Sequence, residues 1–372
     1  MLQTPALIFL IAFGIVTAIQ LFYHFRFFRL LAFHRAEPQT QTRQHAVTVI
    51  ICTRDEAANL AVNLPGVLLQ DYPSTCEVLV VNDNSVDETR YLLEELHRQF
   101  RQLRVVELKQ EAMHIPGKKY PLSVGVKSAK HEILLMTDAD CVPATEWWVL
   151  KMQEAYKDGI EIVLGYGGYQ KRKGILNALI RFETFHTALQ YLSYALAGMP
   201  YMGVGRNLSY KREIFFRHKG FTAHNHIPGG DDDLFINMAA NRHNTAVVID
   251  KDAFTISKPK TRFAEWVRQK YRHYSTGRHY QPKHRFLLGL YSASQFLVYP
   301  LFVVCLLTAG WQIALGIFAL RFLVQAFIYY KAMDKLDERN LWPWFWLLDV
   351  WSFFYYLIFI PALWKKPKQN WN

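Results

Sequence analysis

The chain has 372 residues, of which 51% are hydrophobic, 15% aromatic and 20% charged, with a formal net charge of +12. Glycine (19), proline (15) and cysteine (4) are too sparse for a collagenous chain, a low-complexity chain or a disulfide scaffold. A twelve-charge excess invites a nucleic-acid reading, which requires a basic face on a folded domain.

The charges lie elsewhere. Residues 26–43 hold four Arg against one Glu, and residues 258–285 hold nine Lys/Arg against one Glu. Eleven of the twelve net charges therefore flank apolar runs. That pattern predicts membrane topology and contact with membrane lipids, and no nucleic-acid partner.

Ala6–Phe25 contains no Asp, Glu, Lys or Arg, and about 20 such residues cross a hydrocarbon core. MLQTP before it and FRFFRL after it are wrong for a cleaved leader, so residues 1–25 read as an uncleaved anchor. The basic linker 26–45 then places the following segment in the cytosol.

Residues 46–260 read as one soluble domain in which strands and helices alternate. Ala46–Cys52 is a continuous β-branched run, the signature of a strand covered on both faces. Thr53-Arg54-Asp55-Glu56 predicts a capping box and a helix that Pro65 ends or kinks near Leu64. Glu77–Val81 is a second strand, after which Ser85 is expected to cap a helix over Glu88–Phe100. Arg104–Glu107 and Ile133–Met136 are further strands, with a helix over Tyr120–Lys130 between them. Such alternation predicts a mostly parallel Rossmann-like α/β sheet whose ligands gather beyond the carboxyl ends of the strands. Gly174–Met199 is charge-poor and aromatic and reads as a helix along the membrane surface, with a buried core helix as the alternative. The four cysteines show no CxxC spacing and fit reduced thiols.

Residues 261–285 are a basic juxtamembrane segment, and apolar character returns over 286–364. Phe286–Gly310 and Trp311–Tyr330 predict a hairpin of spans, with Arg321 and Asp349 turned toward neighbouring helices. A third run, Trp344–Trp364, either spans or is re-entrant; only the second option keeps the basic tail 365–372 on the cytosolic side.

The chemistry-bearing residues follow the predicted strands. Asp138 and Asp140, spaced i, i+2 after ILLM, can hold a hard divalent cation against a diphosphate. Asp83 can accept hydrogen bonds from a base or ribose, and Gly117-Lys118-Lys119 is a cationic turn suited to phosphate. Asp231-Asp232-Asp233 are adjacent carboxylates, so at least one should have a raised pKa and could serve as a general base; an acidic helix start is the alternative. His218, His224 and His226 read as an exposed loop, with metal ligation as the alternative. Trp266–Tyr274 interleaves basic and aromatic residues that suit a diphosphate, a sugar or lipid headgroups.

Taken in order, strand–TRDE, strand–NDNS, GKK, strand–DAD, GGDDDL and RQKYRH closely resemble the membrane-bound family-2 glycosyltransferases of GT-A fold, over roughly Ala46–His284. That branch includes cellulose, chitin and hyaluronan synthases and ceramide glucosyltransferases. The resemblance implies nucleotide contacts at Thr53, Glu56, Asp83, Lys118 and Asp138, and Mg²⁺ or Mn²⁺ on Asp138 and Asp140. It implies a catalytic base within Asp231, Asp232 and Asp233, with Asp231 favoured over Asp232 by alignment. Gln269, Arg272, Arg206 and Asn207 would face the acceptor and diphosphate. The expected activity is inverting transfer from a nucleoside-diphosphate sugar, with UDP as the expected nucleotide, to a lipid or glycan at the cytosolic face of a bacterial inner membrane. A non-catalytic assembly subunit and a processive polysaccharide synthase are the alternatives. Two departures stand out: Asn82 replaces the first Asp of the usual pair, and His273 replaces the Trp of Q..RW, which weakens a processive reading.

Overall fold

The computed structural model describes residues 4–35, 44–110 and 115–363. The basic tail 365–372 and the second half of the 26–43 flank lie outside the described residues. Ten strands are assigned in chain order: β1 (Val47–Thr53), β2 (Cys76–Asp83), β3 (Leu103–Leu108), β4 (Ile133–Asp138), β5 (Cys141–Pro143), β6 (Ile162–Leu164), β7 (Gly167–Tyr169), β8 (Leu208–Lys211), β9 (Thr245–Val247) and β10 (Thr255–Ser257). Seven of them form one sheet in the order β3-β2-β1-β4-β8-β6-β9, and β5-β10-β7 form a small second one. The large sheet is parallel except where β8 runs antiparallel to β4 and β6. This is the mostly parallel sheet that the β-branched runs predict.

Every residue of β1 is buried, because helices cover both faces. Ile50 and Cys52 point into one apolar cluster and Val47, Val49 and Ile51 into the other, the period-two alternation of a strand. Register brings the ends of three strands level: Cys52 pairs with Val81 on β2 and with Asp138 on β4. The acidic loops after β1, β2 and β4 therefore share one sheet edge.

Two helix starts differ from the sequence pattern. The first helix of the domain begins at Ala57, with no side-chain cap from its N-cap residue Glu56. Instead Asp55 adopts φ 55°, and Asp87 from the next loop accepts the Ala57 N–H at 3.1 Å. Ser85 does not cap its own helix, which starts at Thr89; it accepts from Asp55 N and donates to Asn82. Pairing between loops thirty residues apart replaces two local caps. Pro65 sits inside the helix Ala57–Leu68 without ending it.

Gly174–Met199 contains a 22-residue helix, Ile175–Leu196, with thirteen buried residues. It is a core helix and not a surface one. Its Phe182, Phe185 and Tyr194 join a cluster that runs without a break from the sheet to Tyr291 and Tyr329 of the C-terminal helices.

Among the described residues, three helices are long and apolar enough to cross a membrane: Thr4–Ala32, Pro282–Thr308 and Trp311–Lys335. The N-terminal helix continues past Phe25 through a π-helical turn, His24–Phe28, to Ala32, so the start of the expected linker is helical. The third C-terminal run forms a helix of 15 residues, Phe345–Phe359. At 1.5 Å per residue that is about 22 Å, short of a hydrocarbon core of about 30 Å. Asp349 of this helix meets Arg321 of the preceding span at 2.7 Å, both fully buried, as the expectation of facing spans requires.

Candidate active site

At the nucleotide edge, Thr53 and Asp83 are buried at the ends of β1 and β2. Asp83 accepts from the Asn84 side chain at 3.0 Å. Asn82 donates to Glu107 at 2.8 Å while accepting from Ser85. An aspartate at position 82 would face Glu107 as a like charge, which gives the Asn a physical reason. Glu56 is pushed up by burial and, further down the order of causes, by the charge of Asp140, so it looks toward the paired carboxylates.

Asp138 ends β4, and Asp140 lies in the turn between β4 and β5. Lys118, which precedes the helix Lys119–Ser128, places its ammonium 2.5 Å from Asp138. Burial opposes ionisation of both partners, and their mutual contact overrides it: Asp138 is held below the carboxylate range and Lys118 stays protonated. Asp140 is pushed up by burial and by Asp138. Two carboxylates concentrated at a partly buried edge fit a hard divalent cation with oxygen ligands. Cys141 lies within 4.8 Å of both but offers a soft sulfur, and contacts Ser257 Oγ at 2.8 Å.

Across the cleft, Gly229 and Gly230 carry positive φ (80° and 83°) and lead into the helix Asp233–Ala239. Its three carboxylates have separate fates. Asp232 accepts the backbone N–H groups of Gly205 and Asp233, both at 2.7 Å. Asp233 accepts from Thr276, from Tyr280 at 2.7 Å and from Leu234 N. Burial and then Asp231 push Asp232 well up, and burial pushes Asp233 up. Asp231 takes no hydrogen bond among the described residues. It lines a small cleft together with Asp138 and Lys118.

Lys119 is fully buried behind this loop. Its ammonium donates to the carbonyls of His224, at 2.8 Å, and Ile227, just before Gly229. Burial pulls its pKa down to about 8 against the attraction of the three aspartates. The adjacent lysines thus divide the work: Lys118 grips Asp138, and Lys119 holds the loop that carries Asp231. Among the described residues the histidines do not gather into a metal-ligand group; His224 is buried in this loop and His226 is exposed.

The remaining residues come from the segment before β8 and from the helix Phe263–Tyr274. Arg206 stacks on Tyr169 with 4.7 Å to the ring centroid, and the charges of Arg206 and Arg272 both favour ionised Asp138. Asn207 does not face the cleft. It is fully buried, donates to the carbonyls of Tyr166 and Ala253 and accepts from Trp148. Gln269 and Arg272 lie one turn apart on the helix Phe263–Tyr274, both partly buried, and His273 is exposed. A buried pair between Lys270 and Glu183 ties this helix to the core helix.

The family model described as glycosyl transferase family 2 matches residues 48–217, the stretch that carries the nucleotide edge, the paired aspartates and Arg206. Over that stretch the chain is similar to that family. Among curated relatives, a beta-monoglucosyldiacylglycerol synthase of Nostoc sp. is 27% identical over 139 residues, 37% of this chain and 28% of that one. Glycosyltransferase AglE of Haloferax volcanii is 30% identical over 121 residues, 32% of this chain and 38% of that one. The match thus spans well under half the length of either relative. A mannosyltransferase from Pyrobaculum calidifontis, solved in complex with GDP-Man and Mn²⁺, superposes with a TM-score of 0.58 at 19% identity. That similarity covers 93% of this chain and 98% of the mannosyltransferase, and it shows the GT-A fold.

Lys119 is the site residue whose task the sequence hides: it reads as part of a phosphate-facing turn, yet it braces the loop that carries Asp231. Its carbonyl partners lie 105 and 108 residues away, a separation at which local pattern carries no signal. Replacing it by Met leaves two carbonyls without their donor, each worth roughly 1–3 kcal/mol if kept from water. Lys119→Met is therefore expected to lower the melting temperature and also kcat, both read on the full-length chain in detergent.

Proposed function

We propose that the protein transfers a sugar, with inversion, from a nucleoside-diphosphate sugar to a hydroxyl of a lipid at the cytosolic membrane face. The observation that carries this reading is one cleft with two chemically distinct walls. One wall is Asp138 and Lys118 at the sheet edge, with Asp140 two residues beyond; the other is the unbonded Asp231.

Asp138 and Asp140 would hold a divalent cation, whose charge offsets that of the diphosphate. Lys118, Arg206 and Arg272 add positive charge on the same side and favour the departing nucleoside diphosphate. Asp231 takes the acceptor's hydroxyl proton as the new C–O bond forms and the bond to the diphosphate breaks. Its neighbours are less suited to that role. Asp232 has the more strongly raised pKa, but both its oxygens already accept backbone N–H groups, and a general base must first reach the proton.

A lipid acceptor is favoured by how the base is mounted. Asp233 is held by Thr276 and Tyr280, and Asn237 accepts the N–H of Gln281, the residue before the span Pro282–Thr308. The relative from Nostoc is named for a glucosylated diacylglycerol, in keeping with such an acceptor. Two C-terminal spans return the chain to the side of the transferase domain. There the short helix Phe345–Phe359 packs on the Gln269–Arg272 helix, with Tyr274 and Phe359 stacked at 5.9 Å.

The test is incubation of membranes carrying the protein with radiolabelled nucleotide sugars, followed by lipid extraction. Label should enter the lipid fraction, and a chelator should abolish it. Asp140→Asn is expected to abolish metal-dependent release of the nucleoside diphosphate; full activity in that variant would sink the reading.

A further inference from the structure

We propose that the cleft beneath the carboxylates is a pocket for the acetamido group of the donor sugar, so that the donor is an N-acetylhexosamine nucleotide. This rests on the glycosyltransferase reading above. The cleft is lined by Asp138 and Asp231, by strands of the sheet and by Leu122 of the helix Lys119–Ser128. Its walls are aliphatic: Ile50 from β1, Met136 from β4 and Leu208 from β8, each 1–4% exposed. Tyr210 of β8 also lines it.

The Tyr210 hydroxyl decides the chemistry. The residue is 0% exposed, and its hydroxyl has no hydrogen-bond partner. A buried tyrosine hydroxyl ordinarily finds a partner, as Tyr156 does on the opposite face of the sheet with Ser209 at 2.7 Å. Burial also keeps the phenol protonated, so it remains a donor. The pocket thus offers one unspent O–H among aliphatic walls below the reacting groups.

An acetamido group matches this set. Its carbonyl accepts from Tyr210, its methyl replaces water against Ile50, Met136 and Leu208, and its N–H, on the sugar side of the carbonyl, is left to the carboxylates Asp138 and Asp231 that line the same cleft. A hexose hydroxyl in the same place can accept from Tyr210, but its own hydrogen is then left among aliphatic side chains. A site built this way discriminates through both the methyl contact and the unpaired polar atom.

The experiment measures donor affinity by calorimetry on the full-length protein in detergent with Mn²⁺, which needs no acceptor. UDP-GlcNAc and UDP-GalNAc are compared with UDP-Glc, UDP-Gal and GDP-mannose. The expected result is Kd lower for the acetamido donors by roughly 10- to 200-fold. Tyr210→Phe is expected to narrow that ratio about tenfold, with a melting temperature no lower than wild type because the orphan hydroxyl is gone. Equal or tighter binding of a hexose donor overturns the pocket and leaves the glycosyltransferase reading standing. An unchanged ratio in Tyr210→Phe likewise overturns it. Failure of every donor to bind overturns both.

Discussion

Asp231→Asn is expected to lower the rate of transfer by roughly 10²- to 10⁴-fold while leaving donor affinity near wild type, the range that general-base catalysis contributes. The comparison that gives this force is Asp232→Asn. Asp232 accepts from Gly205 N and Asp233 N at 2.7 Å, bonds that an amide oxygen can replace in part. Its variant should keep transfer within a few-fold of wild type, and Asp232→Ala should lose about 1 kcal/mol of stability through the missing cap. The decisive measurement is single-turnover transfer from labelled donor to the lipid fraction. If Asp232→Asn is the dead variant and Asp231→Asn is active, the base is Asp232 and the alignment shifts by one residue. Donor affinity measured alongside separates loss of the base from collapse of the site.

The alternation of β1, β2 and β4 with helices was legible because each strand is buried on both faces, which leaves a continuous apolar run. The carboxylates at their ends were legible for the same reason, since a sharp polar cluster after such a run marks the sheet edge. Arg321 and Asp349 could be read as partners because a charge in a span needs one. What escaped depends on long-range pairing. Thr53–Glu56 matches a capping box, yet the loop after β2 supplies the hydrogen bonds instead, and Ser85 serves Asp55 rather than its own helix. The strands β6, β8, β9 and the small sheet are three or four residues long, too short for a period to show. Asn207 reads as a polar residue beside an arginine, and only the fold reveals that both its amide hydrogens are spent on Tyr166 and Ala253. Gly174–Met199 is apolar enough for either membrane or core, and its contacts with the sheet and the spans together decide for the core.

The buried pair Arg321–Asp349 leads to the other large effect. Asp349 accepts from Arg321 at 2.7 and 3.2 Å, from Tyr299 at 2.5 Å, from Gln295 at 3.0 Å and from Gln325 at 2.8 Å. Five donor contacts on one carboxylate, made by the two spans Pro282–Thr308 and Trp311–Lys335, fix the short helix Phe345–Phe359 in place. The helix in turn carries Tyr355 and Phe359, which pack on Trp266 and Tyr274 of the helix that bears Gln269 and Arg272. Arg321→Met leaves a buried carboxylate without its cation and is expected to cost about 3–5 kcal/mol. The double variant Arg321→Met/Asp349→Asn removes the charge while keeping a hydrogen-bonding group, and should recover most of that loss. Thermal unfolding in detergent measures both. The functional consequence is asymmetric: the nucleotide edge lies on β1, β2 and β4, far along the chain from this pair, whereas the Gln269–Arg272 helix packs on the short helix that the pair fixes. Arg321→Met should therefore reduce transfer to lipid more than it weakens donor binding, and the double variant should restore transfer. Equal loss of both in a variant that still melts cooperatively would show that the short helix does not support the acceptor side.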